Sequence, residues 1–510
     1  MKRRDFLITT LLTSGLATID PWESQAASIP EFSQSPFTLG VASGDPQSDR
    51  IIIWTRLAPK PLEGGGMPSL RVPVAWKMAE DPEMIKIVRQ GMAMAIPELG
   101  HSVHVDVTQL EANQVYWYQF EVGNYKSAIA RTKTLPNPDA SVEEIKFAFA
   151  SCQDWQNGYF VAHQHLADED LDFVVFLGDY IYERSGKTKI RQHLGEECIT
   201  LEDYRNRYAQ YKGDRNLQAA HHRFPWIMTW DDHEVDNNYA NLIPEDEQTL
   251  EEFRLRRKVA YQAYYEHTPI RVSFQTAENM AIYRSFQLGN LGKLIVLDTR
   301  QYRTDQPCGD GGQPRCQGAT VETATLLGKE QEQWLQAQLT NSSASWNIMA
   351  QQIMMAQYDI DPRPKKELFN MDQWDGYVDC RRRFLSFLHE NKISNPVVIT
   401  GDIHSSWVND LKLDFDDLQS PTVATEFVAT SISSVFPIRY VAAVNLTRRN
   451  NPHVKFFNGT KHGYVRCTVT PEFFKSDFRA VSTISSVNAS IDTLQSFVVK
   501  NGQPGVQINS

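Results

Sequence analysis

Between residues 145 and 182, short apolar runs and polar stretches follow one another in the order strand, helix, strand. Ile145-Lys-Phe-Ala-Phe-Ala150 and Leu171-Asp-Phe-Val-Val-Phe-Leu177 are rich in aromatic and β-branched residues, the pattern of parallel strands buried on both faces. The more polar 151–170 predicts the crossover helix. The same alternation continues downstream: 224–230, 293–298, 346–353 and 396–400 predict strands, while 201–211, 251–267, 328–339 and 378–390 predict helices. Thr200-Leu-Glu-Asp203 is a capping box that opens the first of these helices. Residues 424–430, 464–470 and 473–481 read as antiparallel strands. These segments make 145–481 one large α/β domain with its parallel strands in a single sheet. From residue 482 to 510 Ser, Asn and Gln predominate, which predicts a polar tail with little to bury.

Upstream, residues 37–136 show no helical period. Arg50-Ile-Ile-Ile-Trp-Thr-Arg56, Val72-Pro-Val-Ala-Trp-Lys77, the alternating His101-Ser-Val-His-Val-Asp-Val107 and residues 115–122 read as strands between Pro- and Gly-rich turns. Leu110 followed by Tyr116 resembles the tyrosine corner of a fibronectin-like sandwich. A small β-sandwich is expected here, with Thr134-Leu-Pro-Asn-Pro-Asp139 as the linker.

The first 27 residues address the compartment. Lys2-Arg3-Arg4-Asp5-Phe6-Leu7 is a twin-arginine pattern, followed by an apolar stretch and the small-residue site Ser24-Gln25-Ala26-Ala27. This signal implies the Tat export machinery as a partner and a secreted or periplasmic mature protein. No later run approaches the ~18 apolar residues of a membrane span, so no stable membrane anchor is expected. The 510 residues carry a net charge of −11, which argues against a general nucleic-acid scaffold. Of the six cysteines, Cys308 and Cys316 bound the Gly-rich CGDGGQPRC and predict a small disulfide ring; Cys198, Cys380 and Cys467 have no neighbour in sequence.

Four strand ends carry polar groups with no packing role: Ser151-Cys152-Gln153-Asp154, Gly178-Asp179-Tyr-Ile-Tyr182, Asp231-Asp-His-Glu234 and Gly401-Asp402-Ile-His404. Ligands of open α/β sheets bind at that end of the strands. One such loop is ordinary turn chemistry; four in succession read as a metal site. Thiolate and phenolate suit a trivalent or soft transition metal, whereas carboxylate and amide oxygens suit calcium, magnesium or manganese. Asp179 is suited to bridge the two. Clustered cations would neutralise a phosphate and make hydroxide available for in-line attack. For Cys152 three roles compete: thiolate ligand, small buried hydrophobe and nucleophile. Its polar neighbours favour the ligand.

These motifs resemble those of calcineurin-like metallophosphoesterases, in the form found in the PhoD alkaline phosphatase family. There Ser-Cys replaces the usual Asp-x-His, and Tyr replaces the second Asp after the Gly-Asp pair. Leu297-Asp-Thr-Arg-Gln-Tyr-Arg303, Gln373-Trp-Asp-Gly-Tyr377, the sandwich and the twin-arginine signal also match. The resemblance implies a β-sandwich followed by a four-layer αββα metallophosphatase domain. It implies Fe3+ held by Cys152, Asp179, Tyr182 and Asp402, and Ca2+ reached by Asp179, Asp232 and either Asn237 or Asn238. His233 and His404 correspond to histidines near the phosphate, with His404 also a candidate metal ligand. Arg300 is expected either to clamp phosphate or to partner Asp298, and Trp374 to be a core aromatic. The implied activity is hydrolysis of phosphate monoesters, diesters or both. A phospholipase D-type diesterase is the nearest alternative, and a non-catalytic exported module with a structural metal site is the alternative from another class.

Overall fold

A computed structural model describes residues 29–187, 190–245, 247–272, 280–363 and 366–509; the twin-arginine segment lies outside them. Two sheets pack face to face. One has ten strands, in the order Gln503–Asn509, Ile491–Lys500, Phe473–Val481, His462–Val469, Ile145–Ala150, Phe173–Leu177, Pro225–Thr229, Val41–Gly44, Arg50–Arg56 and Ser102–Thr108. The other has seven: Arg284–Leu288, Gly292–Val296, Trp346–Ala350, Pro396–Thr400, Thr422–Val428, Ser406–Lys412 and Val454–Asn458.

Side-chain alternation along the strands builds the layers. Phe147, Phe149, Val175 and Leu177 of the first sheet meet Val296, Ile348, Val397 and Ile399 of the second in one buried cluster. Their neighbours Ala148, Val174 and Phe176 face the other way, onto the helices Val161–Ala167, Leu201–Lys212, Arg215–Arg223 and Leu250–His267. In the second sheet Ile295, Met349 and Val398 face the helices Gly328–Thr340 and Val378–Glu390. The order is helix, sheet, sheet, helix, because every one of these strands is apolar on both faces.

One expectation changes here. The four chemistry-bearing loops do not follow strands of a single sheet: three leave the ten-stranded sheet, and Gly401–His404 leaves the seven-stranded one. Periodicity identifies a buried strand but not the sheet that buries it. Local signals hold well by comparison. The Thr200 hydroxyl accepts from the Asp203 N–H while the Asp203 carboxylate accepts from the Thr200 N–H. Helix Val378–Glu390 buries Phe384, Leu385 and Leu388.

The N-terminal region is β-rich, with one short 3-10 turn at Pro97–Leu99. The hydroxyl of Tyr116 accepts from the Glu111 N–H at 2.9 Å, closing the tyrosine corner. Only one of its sheets is separate, however. Val41–Gly44 pairs in parallel with Pro225–Thr229, so the other half of the sandwich continues the ten-stranded sheet. The expected linker is also tied down: Leu135 is buried and its N–H donates to the Gln47 carbonyl. Cys308 and Cys316 form a disulfide, and the other four cysteines are free and buried.

The largest departure is the C-terminus. Residues 491–509 are not a polar tail with little to bury; they form a hairpin on the sheet edge, with Phe497 and Val499 in the inter-sheet core. The polar composition is that of an edge hairpin with one wet face, which hides a single apolar row. The Phe497 ring lies 5.2 Å from that of Phe456 and 5.6 Å from that of Phe478. Phe497→Ala is therefore expected to destabilise the fold by about 3 kcal/mol in urea denaturation, whereas an ornamental tail would give no change.

Candidate metal centre

The loops that leave the strands are held in unusual backbone conformations. Cys152, Asp179, Asp402 and His404 have φ of 59°, 55°, 61° and 55°, in the left-handed region that non-glycine residues rarely occupy. Each costs on the order of 1 kcal/mol and persists only because its surroundings enforce it. Backbone bonds supply part of that enforcement: the Cys152 N–H donates to the Gly178 carbonyl, the Gln153 N–H to Asp179, and the Ile432 N–H to Ser151. Glu234 supplies more, its carboxylate accepting from the N–H groups of Asp179, Tyr180 and Asp231. The two glycines allow close approach. A Cβ at Gly178 would stand 2.4 Å from the Asp231 Cβ, and one at Gly401 would stand 2.6 Å from the Ser151 Oγ.

Three overlapping groups of donors result. Cys152, Asp179 and His404 offer atoms within 4.8 Å of one another, as do Asp179, Asp232 and His233, and Asp231, Asp232 and Asp402. Asp179 and Asp232 each belong to two of the groups, and Asp179 is the member common to the group with the Cys152 thiol and the group with Asp232. The Tyr182 hydroxyl donates to Asp179 Oδ2 at 2.9 Å, lies 3.0 Å from His404 Nε2 and receives a hydrogen bond from Ser434 at 2.6 Å. Gln373 Nε2 donates to Asp402 Oδ2 at 2.6 Å. The Oδ1 atoms of Asp179 and Asp232 are buried without a hydrogen-bond partner. A buried carboxylate oxygen in that state is costly unless a cation completes it, so the donor set fits metal ions.

Electrostatics point the same way. Burial, then the Asp179 and Asp402 carboxylates, push the Cys152 thiol far above its usual range. Burial and Asp232 do the same to Asp179, and burial and Asp179 to the Tyr182 phenol. Burial also lifts Asp402 to about 7. Burial opposes ionisation of Asp232 too, but Arg300 and His233 outweigh it and hold that carboxyl low. Crowded, dry anionic donors of this kind take up either protons or metal.

Arg300 is not an exposed phosphate clamp. Its guanidinium is fully buried; Nε donates to Asp231 at 2.6 Å, and Nη1 and Nη2 bind Asp372 bidentately at 2.8 and 2.9 Å. Asp232 and Asp402 lie 3.9 and 3.7 Å from Nη2. Asp298 meets only its backbone N–H. His233 is anchored by Glu183 through Nδ1 at 2.7 Å; burial disfavours its proton, but Glu183, Asp232 and Asp179 more than restore it. Burial lowers His404 to about 4. His233, Asp402 and His404 keep partial exposure and form the mouth of the site. The Asn238 N–H donates to Asp232 Oδ2, whereas Asn237 turns its amide to Glu245. Trp374 is a core aromatic, with Nε1 on Gln351.

Residues 147–478 match the PhoD-like phosphatase family, and residues 23–136 match its N-terminal domain. The chain belongs to the PhoD-like phosphatase family. It is 49% identical over 498 residues to alkaline phosphatase D of Bacillus subtilis (strain 168), covering 96% of this chain and 85% of that protein. A solved structure of PhoD superposes with a TM-score of 0.91 at 49% identity, covering 94% of this chain and 93% of that one. This member of the family is a phosphoric ester hydrolase, which sets aside the non-catalytic module.

Several supports of the PhoD-like site have no local signature. Asp372 lies far along the chain from Arg300, and Ser434 from Tyr182. Two arginines in Leu297-Asp-Thr-Arg-Gln-Tyr-Arg303 on a buried strand end were the available clue, since both need acidic partners; Arg303 Nη1 also binds Asp372. If Arg300 serves as the buried counter-charge, Arg300→Met should destabilise the protein by about 3–5 kcal/mol in chemical denaturation, with only partial recovery in Arg300→Lys. A phosphate clamp would instead lose turnover at unchanged stability.

Proposed function

We propose that this chain is an exported, metal-dependent phosphatase and phosphodiesterase that uses Fe3+ together with Ca2+. Cys152, Asp179, Tyr182 and Asp402 would hold the iron, with His404 beside them. Asp179, Asp232 and an asparagine would hold calcium, and the Asn238 contact with Asp232 favours Asn238 over Asn237. The observation that carries this reading is the pair of donor groups sharing Asp179, with thiol and phenol on one side, carboxylates on the other, and buried oxygens left without partners. When bound, such ions neutralise phosphate charge and acidify water.

The chain's own groups divide the remaining work. His233, anchored through Nδ1 by Glu183, would offer Nε2 to a phosphoryl oxygen at the mouth. His404, partly exposed beside Tyr182 and kept neutral by burial, would present a hydrogen-bonding ring nitrogen at the mouth. Arg300 positions Asp231 and Asp232. The domains would be residues 37–136 and a phosphatase domain that starts at 145 and runs past 481 to take in the hairpin 491–509, preceded by a signal of residues 1–27. The twin-arginine start and the Cys308–Cys316 disulfide support export to an oxidising compartment.

In the test, Cys152→Ser lowers bound iron and turnover of an aryl phosphate together. Tyr182→Phe removes a phenolate-to-iron absorption band, and a calcium-selective chelator abolishes turnover until calcium is restored. Iron at wild-type occupancy in folded Cys152→Ser would refute the ligand assignment, and full activity after calcium removal would refute the second ion.

A further inference from the structure

Between Glu426 and Glu472 the chain contains no Asp or Glu, although the protein as a whole carries 62 acidic residues and a charge of −11. The same stretch holds Arg439, Arg448, Arg449, Lys455, Lys461 and Arg466. Arg466 is paired with Glu169 and Asp477, and Lys455 with Asp410. Among the described residues Arg439, Arg448, Arg449 and Lys461 form no ion pair. The positive charge that remains therefore faces outward.

This segment also carries the helix Ile438–Thr447, which is apolar on both sides. Val444 and Thr447 mount it on the protein: the Tyr358 hydroxyl donates to the Val444 carbonyl at 2.9 Å and lies 2.8 Å from the Thr447 hydroxyl. The side away from them is left to solvent, with Ile438 73% and Leu446 49% exposed; Tyr440, one turn before Val444, is 45% exposed and the preceding Val435 48%. Exposed apolar side chains beside arginines that form no ion pair, in a stretch of chain with no acidic residue of its own, are the signature of an interfacial lipid contact. A soluble polyanion would use the arginines and leave Ile438 unexplained. A second copy of the chain would bring arginine against arginine across an isologous contact.

We propose that the helix Ile438–Thr447, with Val435, Arg439, Arg448 and Arg449, is a reversible docking surface for an anionic lipid bilayer. The helix begins a few residues after Ser433 and Ser434, whose N–H groups donate to the Cys152 carbonyl. Docking would therefore hold the mouth of the metal centre at the headgroup layer. The docking itself is independent of which ions or esters the centre takes.

The experiment is co-sedimentation of the mature protein with phosphatidylglycerol vesicles and, separately, phosphatidylcholine vesicles, at low and high salt. Binding to the anionic vesicles alone, weakened by salt, is expected. The double variant Ile438→Ser/Leu446→Ser and the triple variant Arg439→Glu/Arg448→Glu/Arg449→Glu should each bind roughly ten-fold or more weakly. Both should hydrolyse a soluble aryl phosphate at the wild-type rate, which certifies the fold. Three results would overturn the proposal: no binding to anionic vesicles at low salt, undiminished binding by the Ile438/Leu446 variant, or a concentration-dependent dimer that the same substitutions abolish.

Discussion

A single buried guanidinium reconciles this site with its own charge. Asp231, Asp232, Asp372 and Asp402 converge on Arg300; Asp231 and Asp232 come from a loop of one large sheet and Asp402 from a loop of the other. Carboxylates in a dry environment repel one another and lose hydration, so their convergence requires fixed positive charge. Arg300 supplies it in a geometry lysine cannot reproduce, because one planar fork satisfies Asp372 bidentately while Nε reaches Asp231. What it leaves unsatisfied is informative. Among the described residues Asp179 has no arginine partner; its Oδ1 is buried without a hydrogen bond, and it belongs both to the group with Cys152 and to the group with Asp232. Arg300 neutralises the side of the cluster formed by Asp231, Asp232, Asp372 and Asp402, and Asp179 lies outside its ion pairs.

The junction of the two sheets makes that convergence possible and also strains it. Gly178 and Gly401 let the loops approach where any side chain would collide with Asp231 or Ser151. The residues that follow them adopt left-handed conformations that polar side chains tolerate better than branched ones. Neither feature benefits packing. Each is held by bonds from the neighbouring loop, so the strain of one loop is balanced by the order of another. That interdependence is why Glu234, which ties three backbone N–H groups, matters as much to the site as a ligand would.

Much of this was legible in the chain because the relevant signals are local. Buried strands advertise themselves as apolar runs, and Pro396–Thr400 and Phe473–Val481 fall where their composition puts them. Thr200 and Asp203 announce a helix start within four residues. The donors were readable for the same reason, each standing immediately after a strand. What escaped was non-local or disguised. Allocation of strands to two sheets depends on pairings hundreds of residues apart. The helix Arg215–Arg223, capped by Asp214, hides in a polar sequence, and Ile438–Thr447 hides in a β-branched one. The role of Arg300 could not be separated from a phosphate clamp until Asp231 and Asp372 were seen to occupy its donors.

The two ends of the metal centre are secured by different means. The thiol and phenol end rests on the sheets: Cys152 continues a central strand, and Tyr182 is held by Ser434 from the neighbouring loop. The carboxylate end rests on a cover. The disulfide-closed loop places Asp310 on the Asn238 amide, and Gln306 donates both to the Asn238 carbonyl and to Asp372. Gly312–Gln313 of that loop pairs with Phe369–Asn370, immediately before Asp372 and Gln373, which reach Arg300 and Asp402. A trivalent ion, were it held by Cys152 and Tyr182 as proposed, would gain from a rigid, dry frame. Calcium tolerates variable coordination and flexible loops. The division between a sheet-embedded end and a loop-covered end would therefore suit the two donor chemistries of the proposed site, with Asp179, common to the Cys152 and Asp232 donor groups, on the boundary.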